Sequence, residues 1–208
     1  MKPVRRQALW RAKLVITLIF TGCLSLIASP ALAINYGKGT YGACQFGACS
    51  ISLSTSGSVA LNVTPTGSGS CTIQKDIVTV TTSNSSGYTL SLTNSSTNTA
   101  LLNGANSLAA SSGTQASPTA LSANKWGYRV DGAGGFGAGP TNAQTNVSVP
   151  ATTFAGVPAS NGTPSTLATT NTSAGTGSAT SVWYGVCANT NQPSGTYTTA
   201  VTYTAVAN

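Results

Sequence analysis

The chain has 208 residues with nine Lys or Arg against two acidic residues and no histidine, a formal net charge of +7. Five of the nine basic residues, Lys2, Arg5, Arg6, Arg11 and Lys13, fall in the first thirteen positions. Beyond them only Lys38, Lys75, Lys125 and Arg129 stand against Asp76 and Asp131, a net of +2, so no basic patch remains for nucleic acid. A His-dependent triad is excluded, and glycosidase carboxylates would have to be Asp76 and Asp131, which nothing in the sequence brings together.

The basic start leads into an apolar run from Leu14 to Ile27 and then Ser29-Pro30-Ala31-Leu32-Ala33, a small-residue A-x-A site. This predicts a secretory signal peptide over 1–33, cleaved after Ala33. The run is too short and too broken by Gly22 and Pro30 for a membrane anchor, so no membrane span is expected after cleavage.

Residues 34–49, rich in glycine with interspersed aromatics, read as an N-terminal lead carrying Cys44 and Cys49. With Cys71 and Cys187 these make four cysteines after processing, an even number that predicts two disulfides in an exported chain. Of the three pairings, Cys44 with Cys49 and Cys71 with Cys187 is favoured. The first closes a tiny loop worth roughly 2 kcal/mol and the second most of the domain, worth roughly 5 kcal/mol. The C-x4-C spacing does not match the knuckles of a four-cysteine zinc site, and neither metal nor cofactor is expected.

From 50 to 208, apolar residues recur at period two between Gly, Asn, Ser and Pro punctuation. Ile51 and Leu53, then Val59, Leu61 and Val63, open the strands. A long strand follows from Cys71 to Thr82, whose apolar positions change parity around Lys75-Asp76, where a β-bulge is expected. Ser83 to Gly87 reads as a hairpin turn into Tyr88, Leu90 and Leu92. Leu101-Leu102, Leu121 and the set Trp126, Tyr128 and Val130 are further strand candidates, and the glycine-rich 132–140 reads as a mobile loop. Val147, Val149, Phe154, Val157 and Leu167 precede a final predicted hairpin, Ser181 to Val206, folded at Pro193-Ser194-Gly195. Its second strand sets Tyr197, Val201, Tyr203 and Ala205 against Thr196, Thr198, Thr202 and Thr204. Because Cys187 needs a partner far back in the chain, this end is expected to close the fold onto its beginning. No helical period occurs after residue 33, so the fold class is all-β: an antiparallel β-sandwich of immunoglobulin-like form with eight to ten strands.

Ser and Thr make up roughly a third of the residues after 33, which predicts outward faces of hydroxyls and amides suited to packing against copies of the chain or a polymer. Trp126, Tyr128, Trp183 and Tyr184 form the one aromatic constellation, a candidate sugar-stacking platform or else core. Trp183 and Tyr184 are adjacent in a strand and so point to opposite faces, and one of them is expected to face outward. A Lys-Asn isopeptide bond next to an acid, using Lys75 with Asp131 or Lys125 with Asp76, is a further candidate.

The order Y-G-A-C to C-S-I-S-L, V-T-V-T-T-S-N-S-S-G-Y-T-L-S-L, K-W-G-Y-R-V-D-G, V-W-Y-G-V and Q-P-S-G-T-Y-T-T-A-V-T-Y-T-A-V-A-N resembles exported β-sandwich surface proteins of reduced-genome candidate-phylum bacteria. More distantly it is similar to WxL-type and pilus-subunit sandwiches. The resemblance implies a non-enzymatic, secreted cell-surface or adhesion protein, with itself, other envelope proteins or glycans as partners. The end at Asn208 shows no sortase signal, so covalent wall anchoring is not expected.

Overall fold

The computed structural model describes residues 50–148 and 152–208. The predicted signal peptide, the predicted N-terminal lead with its expected Cys44–Cys49 pairing, and Val149 lie outside the described residues. What is described is all-β, with twelve strands and no helix: β1 (Ile51–Thr55), β2 (Ser70–Thr82), β3 (Tyr88–Asn94), β4 (Leu101–Asn103), β5 (Asn106–Ala110), β6 (Thr119–Ala120), β7 (Lys125–Val130), β8 (Gln144–Val147), β9 (Thr153–Phe154), β10 (Ser165–Thr169), β11 (Ala174–Ala188) and β12 (Val201–Ala207). The count exceeds the eight to ten expected because several strands are only two to five residues long.

Seven strands form a curled sheet in the order β1-β2-β11-β7-β5-β4, with β8 also paired to β2. Three more form a second sheet, β10-β3-β12, and β6 pairs with β9. All ladders are antiparallel except the short β5–β7 pairing. The inner residues of both sheets meet in one cluster: Val78 and Val80 from β2, Trp126, Tyr128 and Val130 from β7, and Val182, Tyr184 and Val186 from β11 pack with Tyr88, Leu90 and Leu92 from β3.

The alternation in β3 and β12 predicts their faces correctly, since Tyr88, Leu90 and Leu92 are fully buried and Thr202 and Thr204 are exposed. Neither predicted hairpin forms, however. The turn at Ser83–Gly87 carries the chain from β2 in one sheet to β3 in the other, and Pro193–Gly195 lies on the crossing from β11 to β12. Val59, Leu61 and Val63 likewise form no ladder. Their segment packs its side chains on the core and is tied to β2 by Thr72 Oγ1 donating to the Asn62 carbonyl, 2.6 Å.

The expected bulge at Lys75-Asp76 is also absent, because β2 pairs with β11 without a break from Ser70–Ala188 to Val80–Ser178. The parity change has another cause: β2 is covered on both faces only from Ser70 to Ile73, and beyond that Lys75 and Ile77 open to solvent. Its even residues face the large cluster, while Cys71 and Ile73 face a second cluster with Leu121, Phe154, Trp183 and Cys187. Phe154 reaches that cluster because Gly185 and Gly127 stand opposite each other on adjacent strands and leave a hollow for its ring. A Cβ on Gly185 would sit 2.7 Å from the Phe154 ring. Gly185→Ala is therefore expected to cost about 1–3 kcal/mol in urea unfolding, from displacement of a fully buried phenylalanine.

The glycine-rich loop is anchored rather than loose. Phe136 is buried and meets Tyr128 edge-on at 5.6 Å, Gly132 N–H donates to the Gly137 carbonyl, and Gly135 N–H donates to the Gln115 carbonyl. One aromatic side chain thus offsets much of the entropy its glycines lose on ordering.

Candidate functional site

Trp126, Tyr128, Trp183 and Tyr184 do converge on the two central strands β7 and β11, but as core. None is more than 5% exposed. Trp183 and Tyr184 point to opposite faces as predicted, yet both faces are covered. Tyr184 enters the inter-sheet cluster, and Trp183 lies in the smaller one with the Lys75 ammonium 5.4 Å from its ring centre. The expectation that one of them faces outward is corrected accordingly: Phe154 and Leu121 pack on the face of the sheet that would otherwise be solvent. Trp126 stacks on Tyr184 at 6.5 Å and donates its Nε1–H to the Thr99 carbonyl, 2.9 Å.

Cys71 and Cys187 form a disulfide across directly opposed residues of β2 and β11. That pairing is the favoured one, and it consumes two of the four thiols that a zinc site would need. The aspartates are also engaged. Asp131 accepts from Arg129 Nε at 3.1 Å. Asp76 Oδ1 accepts from the Ser56 N–H (2.9 Å) and the Ser56 hydroxyl (2.6 Å).

Asp76 continues into a polar chain within the core. Tyr203 of β12 lies beside Asp76, and its hydroxyl is 2.7 Å from that of Tyr184. Asp76, Tyr203 and Tyr184 thus bring polar side chains of β2, β12 and β11 together in the space between the sheets, with Ser56 at the exposed end. This is a linking network, since buried polar groups that satisfy one another orient the elements carrying them. Nothing in the sequence marks Ser56 or Tyr203 as a site residue. The alternation of β12 puts Tyr203 on the inner face, but no local pattern connects it to an aspartate 127 positions earlier.

Burial raises the hydroxyl pKa of Tyr128, Tyr184 and Tyr203, and for Tyr203 the neighbouring Tyr184 and Asp76 add to it. The folded state thus keeps protons that unfolded tyrosines lose above pH 10. Stability is full below that pH and falls as pH rises above it, by up to about 1.4 kcal/mol per pH unit for each tyrosine still protonated. Thermal unfolding followed from pH 8 to 12 is expected to show this decline, and Tyr203→Phe to flatten it.

A shallow groove of about 270 Å³ lies where β7, β10 and β11 meet, lined by Val130, Asp131, Leu167, Ala168, Ala179, Thr180 and Ser181. Asp131, with its side chain 40% exposed, is the charged group there.

Hydroxyls cover the outer face of the three-stranded sheet. Thr202 lies opposite Thr93, and Thr204 lies opposite Ser91. Thr166 of β10 lies on the other side of Ser91. Several hydroxyls are locked in place: Ser91 Oγ donates to the Thr204 carbonyl at 3.3 Å, and the Ser95 and Thr202 hydroxyls lie 2.9 Å apart. No described helix is long and apolar enough to cross a membrane. Comparison with protein-family models, curated proteins and solved structures finds no match to this chain.

Proposed function

We propose that this chain is a secreted, non-enzymatic structural or adhesive protein of the cell surface, a β-sandwich of immunoglobulin-like form that associates with its own copies or with other envelope proteins. The observation that carries the reading is the ordered, uncharged hydroxyl face on β3, β10 and β12. Such a face meets a like surface with little desolvation of charge and little repulsion. The Cys71–Cys187 disulfide supports an oxidising compartment, and the apolar run and A-x-A site before residue 34 support export.

The test is to express the full chain in a bacterial host and recover it from the oxidising compartments. A mature N-terminus at Ile34, and a mass by light scattering that rises with concentration, are the expected results. Retention in the cytosol with free Cys71 and Cys187 would overturn the secreted reading, and a monomer at every concentration would overturn self-association.

A further inference from the structure

Hydrogen bonds just beyond the two ends of β12 establish which of its backbone groups face β3. Ser95 N–H donates to the Ala200 carbonyl at 2.9 Å, and Asn208 N–H donates to the Gly87 carbonyl at 3.1 Å. Between them the register runs unbroken from Val201–Asn94 to Ala207–Tyr88. Since hydrogen-bonded pairs alternate along an antiparallel ladder, Thr202, Thr204 and Val206 turn their N–H and C=O groups toward β3. Val201, Tyr203, Ala205 and Ala207 turn theirs the other way, where β12 has no paired strand among the described residues.

The side chains show the same missing neighbour. In β3, at the centre of this sheet, the core-facing Tyr88, Leu90 and Leu92 are fully buried. In β12 the core-facing Val201, Tyr203, Ala205 and Ala207 remain only half-buried. β1 comes near β12 without forming a ladder to it, and leaves Ile51 37% exposed. Nor does β12 carry a proline, a charge or a bulge, the usual means of blocking edge-to-edge pairing.

We propose that β12 pairs antiparallel with β12 of a second copy, about a two-fold axis through Thr204. The inference rests on the self-associating reading above and names its surface. In this register odd residues meet odd residues, so the outward N–H and C=O groups of each copy satisfy those of the other. Tyr203 comes opposite Ala205 of the second copy and Val201 opposite Ala207, large against small on the core side. Thr204 meets Thr204 on the outer side and joins the two hydroxyl faces into one. A second copy suits this edge better than a charged partner. β12 has no charge, and the described residues carry only Lys75, Lys125 and Arg129 against Asp76 and Asp131, too few for strong repulsion between copies.

Two variants of the full exported chain test the pairing beside the wild type. Thr204 pairs with itself in a non-hydrogen-bonded position, where Cα atoms lie about 4.5 Å apart, within disulfide reach. Thr204→Cys is therefore expected to give a cross-linked dimer on a non-reducing gel, above any dimer in the wild type, and Thr202→Cys not to. Ala205→Pro removes an N–H from the free edge and none from the ladder with β3, and is expected to convert the wild-type oligomer to monomer in light scattering. Oligomers that persist in Ala205→Pro, with no cross-link at position 204, overturn the β12 interface and leave the wider reading standing. A wild type that stays monomeric, with no cross-link, overturns both.

Discussion

Replacing Cys71 and Cys187 together by alanine is expected to lower the unfolding free energy by roughly 5 kcal/mol, and reduction of the wild type to produce most of the same loss. The disulfide joins residues 116 apart in sequence, so most of the domain lies inside the loop it closes. Cutting the link restores the conformational freedom of that loop to the unfolded chain, and loop-closure entropy grows with length. The bridge also sits where it supports most: β2 and β11 form the longest ladder of the large sheet, and both sulfurs lie in the small cluster under Leu121 and Phe154. Urea unfolding at equal protein concentration measures the difference. A loss under about 1 kcal/mol would show that the reduced unfolded chain keeps contacts between these strands.

Arg129→Ala is expected to cost about 3–5 kcal/mol in the same assay. Arg129 is fully buried, and its guanidinium is held on every side. Nε donates to Asp131 Oδ1 at 3.1 Å, Nη1 to the Thr153 carbonyl at 3.1 Å, and Nη2 to the Phe136 and Gly137 carbonyls at 3.0 and 3.3 Å. One side chain thereby ties β7 to β9 and to the glycine-rich loop. Alanine removes the guanidinium donor from the Thr153 and Phe136 carbonyls, while the Gly137 carbonyl keeps the Gly132 N–H. Arg129→Lys keeps the charge but lacks the planar fork that reaches several acceptors at once, so most of the loss should remain. Asp131→Asn should cost no more than about 1 kcal/mol, because that side chain is partly in water, where an ion pair is weak. Equal losses in Arg129→Ala and Asp131→Asn would mean that the ion pair, not the carbonyl contacts, holds the loop. Loss of near-ultraviolet dichroism in Arg129→Ala would report release of Phe136 from Tyr128.

Arg129 also shows why a site can be invisible in sequence. It stands between Tyr128 and Val130 in a strand, where a lone charge reads as the solvent face of an alternating pattern. Its face is buried because β9 and the loop after β7 fold over it, and neither has any pattern linking it to β7. The same cover explains the aromatics. That neighbours in a strand point to opposite faces follows from backbone geometry, and Trp183 and Tyr184 obey it. Whether a face meets water depends on what else crosses it.

Sequence alone determined the strand class, the faces of β3 and β12, and the two cysteines that close the fold. Those properties are local or countable: the period of two comes from the pleat, and an even number of cysteines after a predicted leader points to pairing. Only the tertiary structure decided that the turns at Ser83–Gly87 and Pro193–Gly195 pass between sheets, that both faces of β2 are covered beside the disulfide, and that Asp76 meets Tyr203. The alternation that assigns a residue to a face is indifferent to which strand lies beside it. Partner choice comes from burying all the faces together, and that balance is struck among residues a hundred or more positions apart.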